Sequence, residues 1–172
     1  ASGNLLSFLS DELDRAFKPR NDEVSLAFVE GKDIRIPIST AFPSDFIFPG
    51  SFNPIHDAHI AIIDYLAERY NVCVDLEISI DNVDKPSLDI GQIVSRVNKI
   101  SKVKNVGGVW LTKRPKFIQK TAMFKDSTFV MGSDTLERMF SDKYAESLTE
   151  INDILTNLKT NNSNIVMFDR VR

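Results

Sequence analysis

The stretch Asp45-Phe46-Ile47-Phe48-Pro49-Gly50-Ser51-Phe52-Asn53-Pro54-Ile55-His56-Asp57-Ala58-His59 decides the fold. Phe46-Ile47-Phe48 is a short continuous apolar run closed by Pro49-Gly50, the pattern of a buried strand. The histidines open a helix over residues 56–70, in which Ile60, Ile63, Ala67 and Tyr70 recur on one face. A buried strand that turns sharply into an amphipathic helix is the first half of an α/β unit.

Downstream the alternation continues. Val72–Ile80 reads as a strand, Asp81–Leu88 as a polar loop, and Ile90, Ile93, Val94, Val97 and Ile100 mark a second helix. Val106–Leu111 is a strand, Lys116–Met123 a short helix, and Thr128–Met131 another strand. Residues 134–140 and 145–159 read as helical, and Asn164–Phe168 as a last strand. Such alternation predicts a mostly parallel sheet with helices on both faces, spanning residues 45–172. Residues 1–44 form a separate opening segment. Leu5, Leu6, Leu9 and Leu13 predict a helix over 4–16, and Val24–Val29 and Asp33–Ile38 a hairpin about Glu30-Gly31-Lys32.

Composition narrows the function. The 172 residues are 42% hydrophobic and 26% charged, ordinary for a globular chain long enough to bury a core without staples. A net charge of −3 argues against a dedicated nucleic-acid binder. No apolar run approaches the ~20 residues of a membrane span, and the charged N-terminal stretch is not a signal peptide. The one cysteine, Cys73, sits among apolar residues, so a cytoplasmic location is expected. Among the seven glycines there is neither a G-x-G-x-x-G following a strand nor a P-loop.

Ligands of such sheets sit beyond the carboxyl ends of the strands, where the strand order reverses. His56 and His59 are the chain's two histidines. Three residues apart at a helix start, they can address one ligand. The unpaired N–H groups and positive dipole end of that first turn favour an anion, and Gly50 lets backbone approach it. No nucleophile is paired with a base here, so the chemistry expected is charge stabilisation and positioning.

Gly50-Ser51-Phe52-Asn53-Pro54-Ile55-His56-Asp57-Ala58-His59 resembles the G-[T/S]-F-N-P-x-H-x-G-H signature of the nucleotidyltransferase superfamily, in particular nicotinamide mononucleotide adenylyltransferases and cytidylyltransferase-like proteins. Val130-Met131-Gly132-Ser133-Asp134 resembles its G-[A/S]-D strand end, and Asn82-Val83-Asp84-Lys85-Pro86 its lysine-bearing loop. The resemblance covers about residues 45–170 and implies a Rossmann-like domain that moves an adenylyl or cytidylyl group from a nucleoside triphosphate to a phosphorylated small molecule, of nicotinamide mononucleotide type, with release of pyrophosphate. It implies His56 and His59 as the catalytic pair and Gly50, Ser51, Phe52, Asn53, Ala58, Gly132 and Asp134 as nucleotide contacts. Lys85 is expected to contact substrate or phosphate, and Mg²⁺ is expected on the phosphates with no protein-held metal site.

The sequence departs from the pattern in two places. Ala58 replaces the glycine between the histidines, where a methyl group would crowd the nucleotide. No I-S-[S/T]-T-x-x-R motif follows the last strand before Arg172, so a C-terminally incomplete domain, or a nucleotide-binding module deficient in transfer, is the alternative expectation.

Other features read more plainly. Asp134 with Glu137 fits a capping box. Lys113, Arg114, Lys116 and Lys120 read as a solvated basic face, Trp110 and the phenylalanines as core, and Arg170 as a strand-end residue able to face the pocket.

Overall fold

The computed structural model describes residues 33–39, 45–80, 90–139 and 148–169. The apolar run Phe46–Pro49 (β2) runs through the middle of a six-stranded sheet and is followed by helix α1 (Asp57–Tyr70). Then come β3 (Val74–Ser79), α2 (Ile90–Ile100), β4 (Val106–Thr112) and α3 (Phe117–Met123). The chain continues through β5 (Thr128–Gly132), α4 (Ser133–Met139), α5 (Leu148–Thr160) and β6 (Asn164–Phe168). With β1 (Ile34–Pro37), the strand order is β1-β4-β3-β2-β5-β6, and every pairing is parallel except that of β1 with β4. This is the doubly wound α/β architecture expected from the alternation.

Strand alternation sends side chains to two cores. Phe48, Leu76, Ile78, Val109 and Val130 pack with Ile63 and Leu66 of α1 and with Ile93, Val94, Val97 and Ile100 of α2. Ile47 and Phe129 instead meet Phe124, which follows α3, and Ile154 and Leu158 of α5. The spacing of each helix's buried residues, three and four apart, is what turns one stripe toward the sheet. Asn71 ends α1 in the left-handed conformation (φ 53°), which asparagine tolerates better than most residues.

The residues 33–38 expected in a hairpin include β1, which joins the main sheet as the antiparallel edge partner of β4. Its Arg35 crosses to Asp75 of β3, donating from Nε and Nη2 at 2.9 and 3.1 Å, and Trp110 Nε1 donates to the same carboxylate at 3.1 Å. Gly107 and Gly108 make room for this pair. A Cβ on Gly108 would stand 2.7 Å from the guanidinium carbon, and one on Gly107 would stand 2.8 Å from Asp75 Oδ1. The expected helix over 4–16, the strand Val24–Val29 and the loop Asp81–Leu88 lie outside the described residues. No helix among the described residues is long and apolar enough to cross a membrane.

Candidate active site at the β2–β5 switch point

From β2 the chain proceeds outward to β3 and β4, then returns to place β5 and β6 on the other side of β2. The strand order therefore reverses between β2 and β5, and a crevice opens at their carboxyl ends. The turn Gly50–His56 leaves one of these ends, and Gly132-Ser133-Asp134 leaves the other. Two motifs 80 residues apart in sequence thus meet at one place in the sheet.

The Gly50 N–H donates to Glu77 O at 3.0 Å, which extends the β2–β3 ladder to the start of the turn. Phe52 then takes φ 45°, while the other described non-glycine residues at positive φ are Asn71, Asn105, Asp126 and Asn162. A bulky side chain in that region costs about 1–2 kcal/mol, and such outliers concentrate at functional sites. Packing holds it there: the Phe52 ring is 1% exposed and lies edge-on to Phe48 and to His59, at centroid distances of 5.3 and 4.8 Å. The sequence reading placed Phe52 among the nucleotide contacts. Its ring forms a floor beneath His59. Gly50 belongs to the same arrangement, since a Cβ there would stand 3.0 Å from the Phe52 ring. The peptide Asn53–Pro54 is cis.

His56 is the N-cap of α1, in extended conformation, and His59 is its third helical residue. The His56 backbone N–H donates to His59 Nδ1 at 3.1 Å. A side chain at this position commonly satisfies the cap N–H through glutamate or glutamine; here an imidazole does so. Because Nδ1 accepts, the proton of the neutral ring sits on Nε2, the nitrogen that remains available as a donor. The two imidazoles are stacked, with centroids 3.6 Å apart and planes 22° apart. Burial, and secondarily the neighbouring His56 charge, pull His59 down to about 4 from the ordinary 6.5. The site therefore pairs an oriented, neutral imidazole with an exposed one.

Ser51, Asn53 and Ala58 are exposed, and the Ser51 carbonyl accepts a hydrogen bond from Arg96 Nη1 of α2 at 3.0 Å. Gly132 ends β5, and a Cβ added to it would meet nothing within 4 Å, so open space lies over it. Asp134 is exposed in the first turn of α4 rather than at its cap, because the helix begins at Ser133. Lys85 and Arg170 lie outside the described residues. No group of three or more His, Cys, Asp or Glu side chains able to hold a metal ion occurs among the described residues.

The cytidylyltransferase-like family model matches residues 47–169, from within β2 to just past β6. The chain belongs to the cytidylyltransferase-like family. It is thus a domain of the nucleotidyl-transfer type, as the histidine motif led one to expect. No curated protein matches the sequence significantly.

One buried cluster near the site was not foreseen from the sequence. Glu77, fully buried, accepts from Lys120 Nζ at 2.7 and 2.9 Å and from the Thr112 hydroxyl at 2.6 Å. Lys120 was expected on a solvated basic face. It is 8% exposed, and α3 turns it into the interior to neutralise Glu77. Burial raises the Glu77 carboxyl above its ordinary value, with Lys120 acting in the opposite direction. Glu77 stands in an alternating strand, Val74–Ser79, in which Asp75 and Glu77 read as one polar face, yet both are buried. Trp110, by contrast, belongs to the core as expected.

Proposed function

We propose that this domain transfers an adenylyl or cytidylyl group from a nucleoside triphosphate to a phosphate-bearing small molecule, releasing pyrophosphate. The observation that carries the reading is the His56–His59 pair, stacked and hydrogen-bonded at the start of α1, on the crevice between β2 and β5.

The triphosphate lies over the first turn of α1, where unpaired backbone N–H groups and the helix dipole favour negative charge. His59 donates from Nε2 to a phosphate oxygen, and His56 stabilises the charge beside it. Gly132 leaves room for the ribose, and Asp134 stands near enough to β5's end to contact its hydroxyls. Mg²⁺ would be held on the phosphate oxygens and would neutralise part of their charge. An oxygen of the acceptor phosphate forms a bond to the α-phosphorus as the bond from that phosphorus to the bridging oxygen of the β-phosphate breaks. Pyrophosphate leaves with the electron pair. No enzyme side chain is bonded to phosphorus at any stage, so preorganised donors and positioning carry the rate.

A mononucleotide such as nicotinamide mononucleotide is the acceptor that the sequence resemblance favours. The test is pyrophosphate release with CTP or ATP, paired with nicotinamide mononucleotide or glycerol 3-phosphate, against His59→Ala as background. Release above that background by at least one pairing is the expected result; none by any pairing contradicts the reading.

A further inference from the structure

The two edge strands of the sheet differ in kind. β1 is four residues long and ends in Pro37, whose missing N–H blunts an edge. β6, Asn164-Ile165-Val166-Met167-Phe168, has no proline and no charge, and it pairs with β5 in unbroken register. Among the described residues no strand pairs with its outer side. A strand edge without such guards is a template for another strand.

The helix beside that edge is apolar where a neighbour would meet it. α5 packs Ile154 and Leu158 down with Phe129 of β5 and Ile165 of β6. Asn157 faces α3, donating from Nδ2 to Ile118 O at 3.3 Å and to Thr121 Oγ1 at 3.2 Å. At about 3.6 residues per turn, Leu155 lies roughly 160° around the helix from Asn157, on the side of the β6 edge. Leu148 and Ile151 share that side through spacings of three and four, whereas the carboxylates of Glu150 and Asp153 stand on other sides. Leu148 is 72% exposed and Leu155 57%. Met167, two residues past Ile165 and so on the same face of β6, is 53% exposed.

We propose that β6 and α5 form the interface of a twofold dimer, in which the strand seated on the edge is β6 of a second copy, running antiparallel. An axis through Val166 sets residue 164 opposite residue 168 of the partner and pairs the free edges with each other. The same axis brings α5 beside its copy. A helix covering two strands, each about 4.8 Å wide, lies roughly 10 Å from its equivalent, an ordinary distance for packed helices. Leucine and methionine then meet their like across the axis. The charges at the rim are also complementary. Lys159, four residues past Leu155, is exposed near the start of β6, and Asp169 is exposed just past its end. Antiparallel pairing places each Lys159 by the partner's Asp169. The two crevices face opposite ends of one continuous sheet, and both stay open.

Sedimentation equilibrium of the full chain over a range of concentrations, without nucleotide, tests the proposal. The expected species is a dimer of twice the 19.4 kDa chain mass. Leu155→Glu and Met167→Lys each put a charge into the apolar contact at an exposed position, and each should weaken the dimer about tenfold or more. Lys159→Glu and Asp169→Lys should each weaken it severalfold, and the two in one chain should recover most of that loss. Tyr70→Ser, exposed on α1 beside Phe46 of β2, should leave the dimer unchanged. Circular dichroism checks the fold of each variant, and the charge exchange stands as a test of its own should an apolar variant unfold. The proposal is overturned by a monomer at every concentration or by an assembly that grows beyond two copies. It is equally overturned by a dimer that neither Leu155→Glu nor Met167→Lys weakens, or by a double exchange no tighter than its single variants.

Discussion

His59 accepts a hydrogen bond on Nδ1 from the backbone N–H of His56 at 3.1 Å, while the Phe52 ring packs edge-on against it with its centroid at 4.8 Å. The imidazole is thereby both oriented and partly removed from water, and protonating Nδ1 would set two donors against each other. The positive charge that the triphosphate needs is therefore not stored on His59 beforehand. The ring offers a neutral Nε2 donor in a fixed direction.

Burial of this ring has a pH signature. His59 titrates at about 4 in the folded chain against an ordinary 6.5. Between these values the unfolded chain takes up a proton at His59 and the folded chain does not, so stability falls as pH is lowered from 6.5 to about 4 and this contribution levels off below. His59→Gln, which can still cap the helix, should flatten that part of the profile. Denaturant midpoints at several pH values, with NMR titration of the His59 ring, would check both expectations.

The open space over Gly132 gives a test that separates binding from folding. A methyl group there meets nothing within 4 Å, so Gly132→Ala should shift stability by no more than about 0.5 kcal/mol. If the ribose occupies that space, the same variant should lose about tenfold or more in nucleotide affinity. Ala58→Gly should act in the opposite sense, tightening the nucleotide where the alanine methyl crowds it, at a helix cost of less than ~1 kcal/mol near the start of α1. Thermal unfolding and nucleotide titration of both variants, side by side, provide the comparison.

The Glu77–Lys120 pair should be costly to break from one side. Lys120→Met leaves a buried carboxylate with the Thr112 hydroxyl and no cation, and should cost about 3–5 kcal/mol. Combining it with Glu77→Gln should recover most of that loss, because no buried charge then remains uncompensated. A double-mutant cycle by urea unfolding measures the coupling; additive losses would show that Lys120 matters for packing alone.

The sequence made some parts of this molecule legible and hid others, for physical reasons. Strands β2 and β4 and helices α1 and α2 are visible because local apolar periodicity reports which face is buried. The histidine turn is visible because its residues lie together within ten positions of the chain. Pairs that close across the sheet are not visible. Arg35 and Asp75 are 40 residues apart and Lys120 and Glu77 are 43, so each residue alone reads as a surface charge. Gly107 and Gly108 likewise have no meaning until Arg35 is laid over them. The positive φ of Phe52 and the packing of its ring beneath His59 are likewise not legible in the motif.

The central claim is that a nucleoside triphosphate binds at the first turn of α1 through the histidine pair. Calorimetric titration of the unaltered chain and of His59→Ala with CTP and ATP, in the presence of Mg²⁺, tests it most directly. The account predicts that at least one nucleotide binds the unaltered chain and that His59→Ala weakens it by about tenfold or more, the worth of a hydrogen bond to a charged group. Equal affinity in the two proteins, or no binding of either nucleotide to the unaltered chain, would contradict it.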